Sequence, residues 1–224
     1  MERIKELLKS DEPIKWVFAG DSITHGAFHT LGCRDYVQIF EERVRYEKWR
    51  IKDAVIRTAI SGWITGILLE NIDWNILQYD PDVVSIMIGM NDAAGVDEDD
   101  MKGRVASFYG NYNKILDTIA EKTHAEVILH TPNPVIPGLD PMREPNLPTL
   151  VEQIKQIGRE RNIPVVDHWT EWNRAREENP IRTHSWMNDF IHPGAQGHRA
   201  FARLLLKELD LWDENTMCCG SVLV

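Results

Sequence analysis

Short apolar runs alternate with longer amphipathic stretches along the 224 residues of this chain, and this alternation restricts its possible folds more than any other feature. The short runs are rich in Val and Ile, which favours strands buried on both faces of a parallel sheet. The predicted strands are Lys15–Ala19, Asp53–Thr58, Val83–Ile88, Glu126–His130 and Pro164–Val166. Alternating strands and helices form right-handed βαβ units, so we predict a three-layer α/β/α sandwich.

The stretches between the strands have the spacing of surface helices. Tyr36 and Phe40, for example, are four residues apart and fall on one helical face. The predicted helices are Asp35–Trp49, Thr65–Leu77, Met101–Lys122, Leu150–Arg161 and Ala195–Leu209. A further short helix is predicted within residues 1–12, and Asp167-His168 is typical of the point where a strand leads into a helix.

Length and composition favour one domain over residues 1–224, with a C-terminal tail at residues 210–224. The formal net charge of -10 argues against nucleic acid or an anionic membrane surface as a partner, because both favour a basic face. No apolar stretch approaches the roughly 20 residues needed to span a bilayer. We therefore expect neither a nucleic-acid partner nor a membrane span, while the sequence leaves a homo-oligomer open.

The N-terminus and the cysteines bear on the compartment. The first residues lack the apolar core of a signal peptide. The three cysteines are Cys33 and the adjacent pair Cys218 and Cys219, which does not suggest a disulfide framework and fits a reducing compartment. We therefore expect a cytoplasmic protein. For the end of the tail, from Thr216 onward, the sequence leaves disorder or docking on a neighbouring subunit open.

Four short motifs supply the groups that acyl transfer to a serine requires. They contain a hydroxyl nucleophile, a glycine N–H, an amide donor, and a carboxylate three residues before an imidazole. In chain order the motifs are Gly20-Asp21-Ser22-Ile23, Ser61-Gly62, Gly89-Met90-Asn91-Asp92 and Asp189-Phe190-Ile191-His192. The first three each follow a predicted strand. Because parallel strands end at the same edge of a sheet, we expect these groups to lie close together.

Each motif also has an ordinary structural interpretation. Ser22 suits a helix cap or a turn, Gly62 suits a plain turn, and Asn91 suits an Asx-turn. Asp189 and His192 are also compatible with an exposed loop before a helix. The presence of all four motifs in this order, three of them at one sheet edge, favours the catalytic interpretation. The motif around Ser22 is not the G-x-S-x-G of lipases, because a threonine stands at the position of the second glycine.

Three side chains are candidates for lining a substrate site. Trp63 follows Gly62, His29 lies shortly after the nucleophile, and Trp186 precedes the Asp189 motif. A surface histidine is commonly just solvated, and the two tryptophans are equally compatible with packing. The proline-rich segment 131–148 follows a predicted strand end, where a long loop is often functional. The remaining histidines and Asp189 match no compact zinc pattern, so we expect no catalytic metal.

These motifs make the chain resemble the SGNH hydrolases, also called the GDSL esterase/lipase superfamily, over residues 14–209. Ile23 stands where that family usually has leucine. The resemblance implies a flavodoxin-like sheet of five parallel strands and no cofactor. It implies a triad of Ser22, His192 and Asp189. It also implies an oxyanion hole formed by the N–H groups of Ser22 and Gly62 and by the amide of Asn91.

The function predicted from the sequence is that of a serine esterase working through an acyl-enzyme. Its substrate would be a small-molecule carboxylic ester with a short acyl chain, such as an acetyl ester of a carbohydrate. A thioesterase or lysophospholipase would use the same site. A non-catalytic α/β module that binds carbohydrate or protein is an alternative from a different class, because fold alone does not determine function.

Overall fold

A sheet of five parallel strands forms the centre of the protein, which is described over residues 1–95 and 98–220 by a computed structural model. The strands are β1 (Lys15–Gly20), β2 (Ala54–Arg57), β3 (Val83–Met87), β4 (Glu126–His130) and β5 (Val165–Val166). Their spatial order is β2-β1-β3-β4-β5, and each neighbouring pair runs parallel. This is the flavodoxin-like order, so the predicted sheet is confirmed. Each strand differs from its prediction by at most one residue at either end.

The centre of the sheet is buried because its strands are apolar on both faces. Every residue of β3 is buried, as is every residue of β1 after Lys15. Gly20 is paired with Met87, so β1 and β3 end side by side. The turns that follow these two strands therefore meet at one edge of the sheet, as the sequence predicted.

Helices cover both faces of the sheet. They are α1 (Glu2–Lys9), α2 (Ser22–His25), α3 (Tyr36–Glu41), α4 (Thr65–Glu70), α5 (Ile72–Asn75), α6 (Glu98–Lys122), α7 (Leu147–Arg161), α8 (His168–Glu178), α9 (Pro180–Ser185) and α10 (Ala195–Glu208). Within one group α4 and α7 both contact α6, and in a second group α3 contacts α10. The sheet lies between these groups, which confirms the three-layer α/β/α sandwich.

Two predicted helices differ from the observed ones for identifiable reasons. The helix predicted over Asp35–Trp49 begins as α3 and continues as a π-helical segment, Glu42–Glu47, ending before Trp49 with its left-handed φ of 58°. The stretch Thr65–Leu77 is divided at Asn71, whose φ of -110° separates α4 from α5. Hydrophobic spacing alone does not report such backbone breaks.

Other helices extend beyond their predicted limits. Helix α7 begins at Leu147, because Pro148 is tolerated in the first turn of a helix. Helix α6 begins three residues before Met101. The helix start predicted at Asp167-His168 is the beginning of α8, where the Asp167 carboxylate accepts a hydrogen bond from the N–H of Thr170. The sequence did not predict the extent of α8 or the presence of α9.

The C-terminal tail packs on its own chain as far as Gly220, which differs from an expectation of disorder. Leu211, Cys218 and Cys219 are buried in the hydrophobic core. The Arg43 side chain donates to the Leu211 carbonyl oxygen at 2.6 Å. Residues 221–224 lie outside the described part of the chain. Within the described part, no helix combines the length and apolar character that crossing a membrane requires.

Candidate active site

Ser22 is placed by a backbone arrangement that only glycine permits at the end of β1. Gly20 has a φ of 152°, and a Cβ at this position would lie 2.0 Å from the carbonyl oxygen of Met87. The N–H of the next residue donates to that same oxygen at 3.3 Å. Ser22 then begins α2, so its own N–H has no acceptor within the helix. The turn thus presents a hydroxyl and a free N–H together.

Asp21 supports this turn from inside the protein. Its Oδ1 accepts a hydrogen bond from the N–H of Ile23 at 3.1 Å, which caps α2. Its Oδ2 has no hydrogen-bond partner among the described residues. Complete burial raises the pKa of Asp21 to about 7, and the nearby carboxylate of Asp92 adds to the effect. The carboxyl group therefore fixes the turn and does not face the sheet edge as a base.

His192 lies between the serine hydroxyl and a carboxylate. Its Nε2 is 2.9 Å from Ser22 Oγ, and its Nδ1 is 2.7 Å from Asp189 Oδ2. The N–H groups of Ile191 and His192 both donate to Asp189 Oδ1 at 2.7 Å. Partial burial raises the pKa of Asp189, but these N–H groups and His192 outweigh it, so the pKa lies below its ordinary value. An ionised Asp189 holds the proton of the imidazole on Nδ1 and leaves Nε2 as the acceptor for the serine proton.

The loop that carries Asp189 and His192 is held by backbone contacts. Met187 and Pro193 form an antiparallel bridge across its base. The Asn133 side chain donates to the Ile191 carbonyl oxygen at 3.0 Å, and the N–H of Ile136 donates to Phe190 at the same distance. The segment after β4 therefore supports the loop.

His29, one of the predicted lining residues, lies directly against His192. The two rings are stacked with centroids 3.8 Å apart and an angle of 17° between planes. The Asn188 side chain donates to the His29 carbonyl oxygen at 2.8 Å. Partial burial and the neighbouring His192 lower the pKa of His29, so it is neutral at neutral pH. His29 thus supports the imidazole of His192, and contact with substrate stays a prediction.

Gly62 is exposed beside the nucleophile turn and has a φ of 84°, a value that favours glycine. The preceding N–H, that of Ser61, donates to His25 Nδ1 at 3.1 Å. His25 lies at the end of α2, so this bond attaches the glycine turn to the helix that Ser22 begins. Nothing in the sequence indicates a supporting role for His25. Its accepting role became visible only in the structure.

Asn91 follows β3 and faces the same edge of the sheet. Its Nδ2 donates to the Trp63 carbonyl oxygen at 3.1 Å, which leaves the second hydrogen of the amide available. Asp92 accepts from both the N–H and the hydroxyl of Thr65, at 3.0 and 2.6 Å. The turns after β2 and β3 are thereby fastened to each other. Asp92 therefore has a structural role.

Arg143, in the proline-rich segment, contacts the turn after β3, and the sequence motifs did not predict this. Its Nε donates to the Met90 carbonyl oxygen at 3.1 Å, and its Nη1 pairs with Asp140 Oδ2 at 3.0 Å. Its Nη2 lies 3.5 Å from Asn91 Oδ1. An arginine within a long loop after a strand is the only signal that the sequence offers for this contact.

The two predicted tryptophans occupy different surroundings. Trp63 is partly exposed beside Gly62, and its ring lies 6.3 Å from that of Trp74. The Trp186 ring packs at right angles to Trp172 at 5.0 Å, and its carbonyl oxygen accepts from Gly194. Trp186 therefore supports the catalytic loop from behind, and its contact with substrate stays a prediction without geometric support.

Two groups of described side chains bring three potential metal ligands within 4.8 Å of one another. One comprises His29, Asp189 and His192, and both ring nitrogens of His192 are already engaged, with Asp189 and with Ser22. The other comprises Glu47, Cys218 and Cys219. His184 and His198 belong to neither group. The hydrogen-bonded chain from Ser22 through His192 to Asp189 has the geometry of a Ser-His-Asp triad.

The sequence profile of the GDSL-like Lipase/Acylhydrolase family matches residues 18–200. The chain belongs to this family. An acetylxylan esterase from Geobacillus stearothermophilus is 30% identical over 210 residues, which cover 87% of this chain and 93% of the relative. The crystal structure of the acetylxylan esterase Axe2 from that organism superimposes with a TM-score of 0.71 at 26% identity, covering 93% of this chain and 97% of the other.

Further solved structures of that esterase are similar to this chain. One, described as a catalytic mutant in which a serine is replaced by alanine, has a TM-score of 0.72 at 25% identity and covers 95% of this chain and all of the other. Two more catalytic mutants replace a histidine and an aspartate. Family membership and these relatives confirm the prediction of a carboxylic ester hydrolase.

Proposed function

We propose that this protein removes short acyl groups, acetyl above all, from carbohydrate esters such as acetylated xylo-oligosaccharides, with Ser22 as the nucleophile. The observation that carries the proposal is the continuous contact of Ser22, His192 and Asp189, at 2.9 and 2.7 Å. The 30% identical acetylxylan esterase supports the choice of the acyl group and of the sugar.

Reaction begins with attack of Ser22 Oγ on the ester carbonyl carbon, while His192 Nε2 accepts the hydroxyl proton. The positive charge on the imidazole is stabilised by the ionised Asp189 at Nδ1. His192 then gives its proton to the leaving sugar oxygen. The product of this half-reaction is an acyl ester on Ser22 and a free hydroxyl on the sugar.

Three donors are positioned for the negative oxygen that forms during the attack. They are the N–H of Ser22 at the start of α2, the N–H of exposed Gly62, and the free hydrogen of the Asn91 amide. Donors fixed by surrounding structure stabilise a developing charge without having to reorganise. Hydrolysis is completed when His192 activates a water molecule against the acyl group and the acid leaves.

Exposed apolar side chains near the catalytic loop favour a sugar as the leaving group. Phe28 is 76% exposed with its ring 4.1 Å from His29, and Phe190 is 41% exposed within the loop. Trp63 follows the glycine donor directly and is partly exposed. Aromatic faces of this kind pack against the apolar faces of sugar rings. We therefore assign the acyl group to the donors and the sugar to this aromatic rim.

The proposal is tested by rates on a series of p-nitrophenyl esters from acetate to octanoate, on acetylated xylo-oligosaccharides, and on acetyl-CoA. Acetate is expected to be the fastest of the series, with acetic acid released from the oligosaccharides. Ser22→Ala is expected to lower kcat by up to about 10⁶-fold. Ser107→Ala, at an exposed position of α6, is the matched control and should retain full activity.

Faster turnover of octanoate, or of the thioester over every oxygen ester, would contradict the proposed substrate. In that case a lysophospholipase or a thioesterase would be the better description of the same site. Unchanged hydrolysis by Ser22→Ala would contradict the nucleophile itself.

A further inference from the structure

The C-terminal tail contains two adjacent thiols, those of Cys218 and Cys219, that are buried against the π-helical segment Glu42–Glu47. Cys218 is 3% exposed and Cys219 is 1% exposed, although the tail contains no regular helix or strand as far as Gly220. The N–H of Cys218 donates to Glu47 Oε1 at 2.9 Å, and its Sγ lies 2.7 Å from Glu47 Oε2. Two sulfur atoms and a carboxylate oxygen thus face one another inside the protein.

The spacing of the two sulfur atoms is that of a metal chelate. Their distance in the structure is 3.8 Å. Two thiolates bound to one tetrahedral zinc ion, at Zn–S distances of about 2.3 Å, lie about 3.8 Å apart. A carboxylate oxygen on the same ion would lie about 3.5 Å from each sulfur, so Glu47 has to recede by roughly 0.8 Å when metal replaces its contact with the thiol.

The charges around the cluster balance when a divalent cation is present. Arg43 Nη1 pairs with Glu47 Oε2 at 3.0 Å, and the arginine side chain is only 5% exposed. Two thiolates and a carboxylate carry three negative charges. One guanidinium and one divalent cation carry three positive charges, which avoids the free-energy cost of an uncompensated charge in a buried site.

We propose that Cys218, Cys219 and Glu47 bind one thiophilic divalent cation of the zinc class. Binding forms two metal–sulfur bonds and one metal–oxygen bond, and it releases the two thiol protons to solvent without any oxidation or reduction. The fourth position of the tetrahedron is left to water. The ion joins the tail to the helical stretch 36–47 and stabilises the fold at a place separate from the serine site.

The test uses the tag-free, full-length, reduced protein, freed of metal and titrated with Zn²⁺, and with Co²⁺ as a spectroscopic probe. We expect one ion per chain, two protons released per ion, and thiolate-to-cobalt charge-transfer absorption. Zinc K-edge X-ray absorption of the wild-type protein should show two sulfur atoms at about 2.3 Å. Zinc should raise the thermal midpoint, because it binds the folded state.

Substitutions test which residues bind the metal ion. The double substitution Cys218→Ser/Cys219→Ser should abolish the charge-transfer absorption, and Glu47→Gln should weaken zinc binding by about tenfold or more. Cys33→Ser is the matched control, since it removes the remaining free thiol, which donates to the Thr30 carbonyl oxygen, and it should bind as the wild type does. Hydrolysis of p-nitrophenyl acetate should be unaffected by one equivalent of zinc.

A zinc shell without sulfur, or equal cobalt spectra in the wild type and the double variant, would overturn the proposal. So would loss of esterase activity in step with zinc binding, which would place the ion on His29, Asp189 and His192 instead. If the double variant does not fold, two measurements decide the question. They are the zinc coordination shell of the wild-type protein, from X-ray absorption, and the zinc affinity of Glu47→Gln. These readouts do not depend on the substrate of the serine site.

Discussion

Arg143 Nε donates a hydrogen bond to the carbonyl oxygen of Met90 at 3.1 Å, which fastens the segment after β4 to the turn after β3. Asp140 holds the same guanidinium at 3.0 Å. The Asn146 side chain adds a bond to the Ala93 carbonyl oxygen at 3.2 Å. With Nη2 of Arg143 at 3.5 Å from Asn91 Oδ1, the oxygen of that amide is turned towards the arginine and its donor away from it.

Arg143→Ala should therefore lower kcat for acetyl esters with little change in KM, since the donor amide loses its fixed orientation. We expect an effect of about tenfold, smaller than removal of the amide itself, because the contact with Trp63 remains. Steady-state kinetics on p-nitrophenyl acetate measure it, with Arg182→Ala at an exposed position of α9 as the control. An equal loss of kcat in both variants would show that Arg143 does not act on the oxyanion site.

Asn91→Ala removes an oxyanion donor outright. A single donor of this kind accounts for about 10²–10³ in kcat, whereas the ground-state ester forms a weaker contact with it. The kcat should fall by that factor while KM changes little. A variant that loses affinity but keeps its kcat would show that Asn91 binds substrate and does not stabilise the oxyanion.

Asp189→Asn should preserve the fold and lower kcat by about 10⁴-fold, because the amide no longer holds the proton of His192 on Nδ1. The matched control is Asp117→Asn, an exposed carboxylate on α6 that pairs with Arg161. Rates are measured together with circular dichroism to establish that both variants are folded. A loss below tenfold in Asp189→Asn would be incompatible with the orienting role.

Two substitutions of His29 distinguish packing against His192 from a polar contact with substrate. His29→Ala removes the ring stacked on His192, so kcat should fall by about tenfold as that imidazole gains freedom. His29→Phe restores an aromatic ring without nitrogen atoms and should recover most of the rate. Recovery by phenylalanine supports a positioning role, whereas equal loss in both variants points to a polar contact with substrate.

Stability is expected to fall below pH 6.5 because buried histidines must stay neutral in the folded protein. Burial lowers the pKa of His130 to about 3, that of His198 to about 4, and that of His168 well below its ordinary value. The unfolded chain takes up these protons near pH 6.5, so between pH 6.5 and 4 the unfolded state binds more protons. Stability therefore decreases as the pH falls through this window. Burial raises the pKa values of Asp21 and Asp92, and these two carboxyl groups oppose the decrease.

The variant His198→Gln tests this pH dependence, because it removes one of the buried histidines, His198. Its Nδ1 has no hydrogen-bond partner among the described residues, and the side chain is 1% exposed. Denaturant unfolding at pH 7 and pH 5 should show a loss of stability about 2 kcal/mol smaller in this variant than in the wild type. Equal losses in the two proteins would mean that His198 takes up no proton on unfolding.

The central sheet could be predicted from the sequence because its strands are short, continuous apolar runs. β4 matches its prediction at both ends, and the other strands differ by one residue. The helices were less predictable where the backbone breaks. The interruption at Asn71 and the left-handed Trp49 depend on tertiary contacts that hydrophobic spacing does not encode.

Site residues could be predicted where a sequence motif indicates their chemistry. Residues that only hold other parts of the site in place were harder to predict. Ser22, Asp189 and His192 meet as their motifs suggested. His25 and Arg143 act through bonds to main-chain groups of other turns, and such bonds leave no periodic trace in a sequence. For Trp186 the structure shows packing of its ring on Trp172, and its contact with substrate stays a prediction.

The hydrogen bond between Ser22 and His192 joins residues 170 positions apart. A growing chain that has emerged as far as β5 already contains every strand and the nucleophile, yet it lacks the base. Closing so long a loop is entropically costly, and the surrounding fold has to be in place before it is favourable. During synthesis or refolding, ester hydrolysis is therefore expected to appear after the strands have formed, and its appearance reports that Ser22 and His192 have come together.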